Sequence, residues 1–193
     1  MALKTATDVA KRCLCLELLL QRLGLEIDEE DPVAERDAVR RAWVSRLGQL
    51  GLEEAILADE RALLERSVGD LTDEECDDIE GRVIGALVLL WSLSRLGGRP
   101  TSAILGVATR LMAEHGVLGD GSIPEAKATI GSVRLRPETE LREALAAYTK
   151  ARGASPPESA EEPGAGPPPA PSDPEAMVAA IGVSTLSWVL ETL

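Results

Sequence analysis

Val83-Ile84-Gly85-Ala86-Leu87-Val88-Leu89-Leu90-Trp91-Ser92-Leu93 is apolar on every face of the helix it predicts. A helix that is hydrophobic all round has to be enclosed by other elements. Its start is marked upstream by Thr72 with Glu75 three residues on, the pattern of a capping box, and by the acids Asp73, Glu74, Asp77 and Asp78, which suit the positive end of a helix dipole. Arg95, the Gly97-Gly98 pair and Pro100 supply the stop. The apolar run falls short of the roughly 20 residues that a bilayer span requires. It therefore predicts the central helix of an all-α domain, with no membrane partner.

Working outward, no segment sustains the alternation of a strand, and helical signals recur on both sides of that centre. Val9, Cys13, Leu16, Leu20 and Leu23 form a stripe at spacings of four and three over about Thr7 to Leu23, with Gly24 after it. Asp31-Pro32 opens a second helix, with Val39, Trp43 and Leu47 on one face and Gly48 and Gly51 at its end. A third runs from Leu52 to about Val68, turning Ile56, Leu63 and Leu64 inward while Glu53, Glu54, Asp59, Glu60 and Arg61 stay in water. After the central helix, Thr101 to about Glu114 presents Ile104, Leu105, Ala108, Leu111 and Met112 on one face. Ser122, Pro124 and Glu125 start a short sixth helix ending near Val133, and Pro137 starts a seventh with Leu141, Leu145 and Tyr148 together.

The reading is thus one bundle-like helical domain over residues 1–152, built from Leu, Val, Ile and Ala because aromatic residues make up 2% of the chain. Residues 153–172 turn to Pro, Ala, Gly, Ser and Glu and predict a semi-extended linker with too little apolar material to fold. Residues 173–193 predict an eighth, amphipathic helix. Its Val178, Ile181, Leu186, Trp188 and Val189 are too apolar to leave in water, so they either dock back on the domain or anchor a protein partner, including a second copy.

Charge narrows the function classes. Lys+Arg 20 against Asp+Glu 33 gives a net charge of -13, which disfavours nucleic acid and anionic lipid as partners. The one basic group, Arg36, Arg40, Arg41 and Arg46, is interleaved with Glu35 and Asp37 and predicts a solvated helix face. Cys13, Cys15 and Cys76 follow no disulfide framework and no secretory signal precedes them, so a reducing cytoplasm is expected.

No constellation for bond-making chemistry stands out, and neither a metal nor a cofactor is expected. His115 is the only histidine, and its place just before Gly116 predicts a helix-end role. Gly119-Asp120-Gly121 resembles the middle of a calcium loop, but Gly116, Leu118 and Lys127 stand where carboxylates would be needed. Phosphate-loop and nucleophile-elbow patterns do not occur. Gly85 and Gly106 read as close-packing points within helices. The favoured function is a non-enzymatic interaction or structural module. One alternative makes residues 173–193 a docking peptide tethering the domain to a larger assembly; the other is an enzyme with a carboxylate-lined pocket drawn from Glu60, Glu80 or Asp120.

Leu89-Leu90-Trp91-Ser92-Leu93 resembles the Leu-Leu-Trp-Ala-Leu-Gly signature of an uncharacterised bacterial domain-of-unknown-function family. Glu60 to Leu64, Arg136 to Ala144 and the Trp188-Val189-Leu190 segment follow in the family's order. Arg82 matches the Arg of its Trp-Arg-x-Glu entry, while the Trp has no counterpart and Ile84 stands where its Glu would be. The resemblance implies an all-helical cytoplasmic bacterial protein whose last helix packs on the rest, and it implies no activity.

Overall fold

The computed structural model describes residues 3–28, 30–118, 122–154 (Ala154 by backbone only) and 173–191. Among these, the chain forms α1 (Ala6–Ile27), α2 (Val33–Leu50), α3 (Ala58–Glu65), α4 (Asp73–Ser92), a 3-10 segment (Ser102–Val107), α5 (Ala108–His115), α6 (Ile123–Ser132), α7 (Glu138–Ala154) and α8 (Pro174–Val189), with no strand. The fold is all-α. Asp120 and residues 155–172, most of the expected linker, lie outside the described residues.

α4 is the centre. Its N-terminus carries the expected capping box, Thr72 accepting from the Glu75 N–H and Glu75 accepting from the Thr72 N–H. From Ile84 to Ser92 every residue is buried, which follows from a run with no polar face. α1, α5 and α8 pack around it, and α8 also packs along α7. Close approach of α8 rests on Gly182 and not on Gly85. A Cβ on Gly85 would lie in ordinary contact with Leu16, Ile181 and Thr185, whereas one on Gly182 would sit 2.6 Å from the Tyr148 ring. That ring is pinned by its hydroxyl, which donates to the Pro100 carbonyl at 2.7 Å. Gly106, by contrast, has open space where a Cβ would be and packs against nothing.

α8 is docked on its own chain. Val178, Leu186 and Val189 are fully buried, so in this arrangement they are spent on α4 and α7 and cannot anchor a partner. Ile181 and Trp188 are half-buried. The N-terminal segment fastens the far end of α8: the Lys4 N–H donates to the Val189 carbonyl at 3.0 Å, and its ammonium lies over the Trp188 ring and 2.6 Å from Glu191.

Several local expectations are corrected. α1 continues past Gly24 to Ile27, because its last carbonyls find a donor elsewhere: Arg36 Nη1 donates to the Leu25 carbonyl at 2.6 Å. The third helix is only Ala58–Glu65; Leu52 to Leu57 forms turns. The expected fifth helix is split into the 3-10 segment and α5. α4 stops at Ser92 through a left-handed residue at Ser94 (φ 59°), before the Gly97-Gly98 pair, with the Arg95 N–H closing onto the Leu90 carbonyl.

The largest correction concerns charge. Arg36 and Arg40 are buried, not solvated, and Val39 points to solvent in their place. They belong to a set of arginines that donate to carbonyls at the ends of other helices. Arg40 Nη1 reaches Glu65 at 2.7 Å, Arg22 reaches Ser67 at 2.9 Å, Arg95 reaches His115 at 2.5 Å and Gly116 at 3.1 Å, and Arg136 reaches Trp91 and Leu96 at 2.7 Å each. The His115 imidazole is therefore not what caps α5. Arg136 also stacks over the Trp91 ring, tying the start of α7 to the end of α4.

Glu60, expected in water, is fully buried. Its carboxylate receives both guanidinium arms of Arg12, one at 2.6 Å, together with Arg82 at 2.9 Å and the Leu57 N–H at 3.0 Å. Burial works against its charge, but the Arg12 guanidinium, the Leu57 N–H and Arg82 outweigh it and hold the carboxyl below its ordinary value. Its contribution to stability is therefore present above the unfolded carboxyl value of 4.5 and is lost as pH falls through the lower folded value. Glu60→Gln is expected to cost about 3–5 kcal/mol in urea denaturation at pH 7, the range for breaking a buried ion pair. The cost should shrink as the medium is acidified.

Three further outcomes test the packing. Gly182→Ala is expected to lower stability by about 1–2 kcal/mol, its Cβ clash with Tyr148 outweighing a helix-propensity gain of up to ~1 kcal/mol. Gly131→Ala, in α6 with open space around it, should instead gain about 0.5–1 kcal/mol. Truncation after residue 154 uncovers the faces that bury Val178, Leu186 and Val189, and should lose roughly 5 kcal/mol or prevent folding, read by thermal denaturation.

Candidate functional site

The apolar stripe of α1 is not covered to its end. Val9, Cys13 and Leu16 are buried, but Leu20 and Leu23 are half-buried and Ile27 is 70% exposed. These three form one wall of a cleft of about 950 Å³. Val83 and Ile84 of α4 form the second wall. Leu105, Ala108 and Met112, from the 3-10 segment and α5, form the third, and Met177 of α8 and Leu118 complete the lining. α5 covers this space thinly, because Ala108 is its only buried residue.

The charge of the cleft is one-sided. Glu17, Asp77 and Glu80 line it, and among the described residues no Lys, Arg or His does. Asp77 and Glu80 stand exposed one turn apart on α4 and make no ion pair among the described residues. Cys76 also faces the cleft, and its thiol is pushed above the ordinary value by partial burial and by the nearby carboxylates of Glu26 and Asp73. It is an unreactive cysteine by that measure.

Glu17 is the carboxylate that sequence reading missed. It is buried, and its oxygens accept from the Val117 N–H at 2.6 Å and the Leu118 N–H at 2.7 Å, with the Cys13 thiol 3.4 Å away. Burial pushes its carboxyl above the ordinary value, and the two N–H groups and Cys13 only partly offset this. The signal was present in the sequence: Glu17 is the single charge in the apolar run Cys13 to Leu20. Gly116 lets the strand of chain approach it, since a Cβ there would stand 3.1 Å from both carboxylate oxygens.

Of the acids named from sequence, Glu80 lines the cleft and Glu60 does not, being enclosed by Arg12 and Arg82; Asp120 is outside the described residues. Cys13 and Cys15 are buried in the core, their thiols raised by desolvation, Cys15 to about 12. Among the described residues no three His, Cys, Asp or Glu side chains are grouped to hold a metal ion, and no helix is long and apolar enough to cross a membrane. No family model, curated protein or solved structure matches the chain.

Proposed function

We propose that the protein is a non-enzymatic interaction module that receives an amphipathic, basic helix of a protein partner in the cleft between α1, α4 and α5. The observation that carries this reading is the cleft itself: an apolar space of about 950 Å³ lined by three carboxylates and, among the described residues, by no cation. An open apolar groove takes the apolar face of a helix at positions i, i+3, i+4 and i+7. From Glu17 to Ile27 the α1 wall extends about 15 Å at 1.5 Å per residue, which accommodates between two and three turns of a partner. Asp77 and Glu80 at the rim favour a partner whose flanks are basic, and they disfavour acidic ligands such as fatty-acid carboxylates.

The partner role considered for α8 thereby moves from helix to receptor: the surface offered is the cleft, not Val178, Leu186 and Val189. The carboxylate-pocket reading keeps Glu80, but Asp77 beside it is equally exposed and Glu17 is committed to two backbone N–H groups. A nucleophile paired with a base does not face either one. The resemblance to an uncharacterised bacterial family adds no activity.

Fluorescence anisotropy with the full chain tests the proposal. A labelled 14-residue Leu/Lys amphipathic helix is expected to bind saturably, and a Leu/Glu helix of the same pattern at least ten-fold more weakly. Leu23→Glu should lower affinity for the Leu/Lys helix at least ten-fold although it makes the protein more acidic, whereas non-specific attraction would survive it. Lack of saturable binding by the Leu/Lys helix, or indifference to Leu23→Glu, overturns the reading.

A further inference from the structure

Glu17 is a buried charge with no cationic side chain in hydrogen-bond contact among the described residues. Arg95 favours the Glu17 charge through space but makes no hydrogen bond to it, donating instead to the carbonyls of His115 and Gly116 on the same chain segment. Among the described residues Cys13 is the only side chain that donates to the carboxylate, and its donation and that of Val117 both fall on Oε1. Oε2 receives the Leu118 N–H alone, and a carboxylate oxygen has room for two donors. Glu17 lines the cleft together with Leu20, Leu105 and Met112. A charge left this way in apolar surroundings is costly unless a cation reaches it, and burial accordingly raises its carboxyl above the ordinary value.

We infer that the helix received by the cleft carries one lysine on its apolar face, whose ammonium inserts between α1 and α5 to pair with Glu17, making Glu17 the specificity-determining residue of the site. The inference rests on the docking function proposed above. Lysine suits the geometry because its four methylenes pack along Leu20, Leu105 and Met112 while the ammonium sits at the end of the stem. No bond is made or broken. Asp77 and Glu80 act differently: exposed at the rim, they steer the partner and set the salt dependence, but they do not select the inserted side chain.

Two synthetic helices of equal net charge separate these roles. One has lysine at the centre of its apolar face; the other has norleucine there and the lysine moved to its outer, polar face. Binding of both is measured by anisotropy to the full chain and to Glu17→Gln and Asp77→Asn/Glu80→Gln variants. The expected result is a preference of at least ten-fold for the central lysine in the unaltered protein, falling to two-fold or less in Glu17→Gln. The rim variant should weaken both peptides several-fold and keep the preference. Because Glu17→Gln removes an acceptor and can fail to fold, the carbon-13 shift of the Glu17 carboxyl is followed in the unaltered protein; it should move with the lysine helix and stay with the norleucine helix. Equal, saturable binding of the two helices, or a stationary Glu17 signal, overturns this inference and leaves the docking function standing. Failure of both helices to bind overturns both.

Discussion

Every helix leaves backbone groups without intrahelical partners at its ends, and in this chain many of those groups are met by charged side chains from elsewhere in the sequence. The structure depends on how they are satisfied. Arginines from distant segments supply donors to the carbonyls at the ends of α1, α3, α4 and α5, and glutamates supply acceptors to N–H groups in the connections between helices. Glu26 illustrates the second kind, accepting from Gly69 at 2.9 Å and Leu71 at 3.0 Å and so holding the connection from α3 to α4, while its own charge is met by Arg22 at 2.6 Å. Hydrogen bonds to charged groups contribute about 1.5–3 kcal/mol each, roughly twice the neutral value, and removing either partner exposes the other to the cost of an unmet buried group.

This arrangement compensates for the composition. With aromatic residues at 2%, the core is aliphatic, and the orientation of one helix on another is not set by large rings. Leu and Ala faces slide over one another more readily than they interlock. A guanidinium with its fork on two carbonyls, or a carboxylate bridging two consecutive N–H groups, has a definite direction. α2 depends on this most: it presents Ala34, Ala38, Val39 and Ala42 to solvent and is held chiefly through Arg36, Arg40 and Leu47 on its inner side. Tyr148, Trp91 and Trp188 each have a cation above the ring, so three of the four aromatics are also oriented by charge.

The same device shapes the cleft. Glu17 from α1 and Arg95 from the end of α4 grip the segment after α5 from opposite sides, one on its N–H groups and the other on its carbonyls. That grip holds α5 by its end while burying little of it, which leaves Leu20 and Leu23 half-covered and Ile27 largely exposed. A groove with apolar walls and an acidic edge is the consequence of fastening a lightly packed helix by its terminus.

Taken by itself, the sequence determined the all-helical class and the place of nearly every helix, because caps, glycines and apolar periodicity act within a few residues. Thr72 with Glu75, the run from Ile84 to Ser92, and the face shared by Leu141 and Tyr148 were all legible this way. The split of the fifth helix and the shortness of the third were not, since there the periodic pattern continues through backbone that tertiary contacts bend. Only the tertiary structure decided which charges are inside. Arg36, Arg40 and Glu60 carry the same local signature as solvated residues, and what distinguishes them is the carbonyl or guanidinium they meet elsewhere in the chain. The Glu17 to Leu118 contact spans 101 residues and Arg12 to Glu60 spans 48. The cleft shares that origin: its apolar residues are those of a core stripe, and whether such a stripe is buried or left open is settled by where the neighbouring helix is fastened.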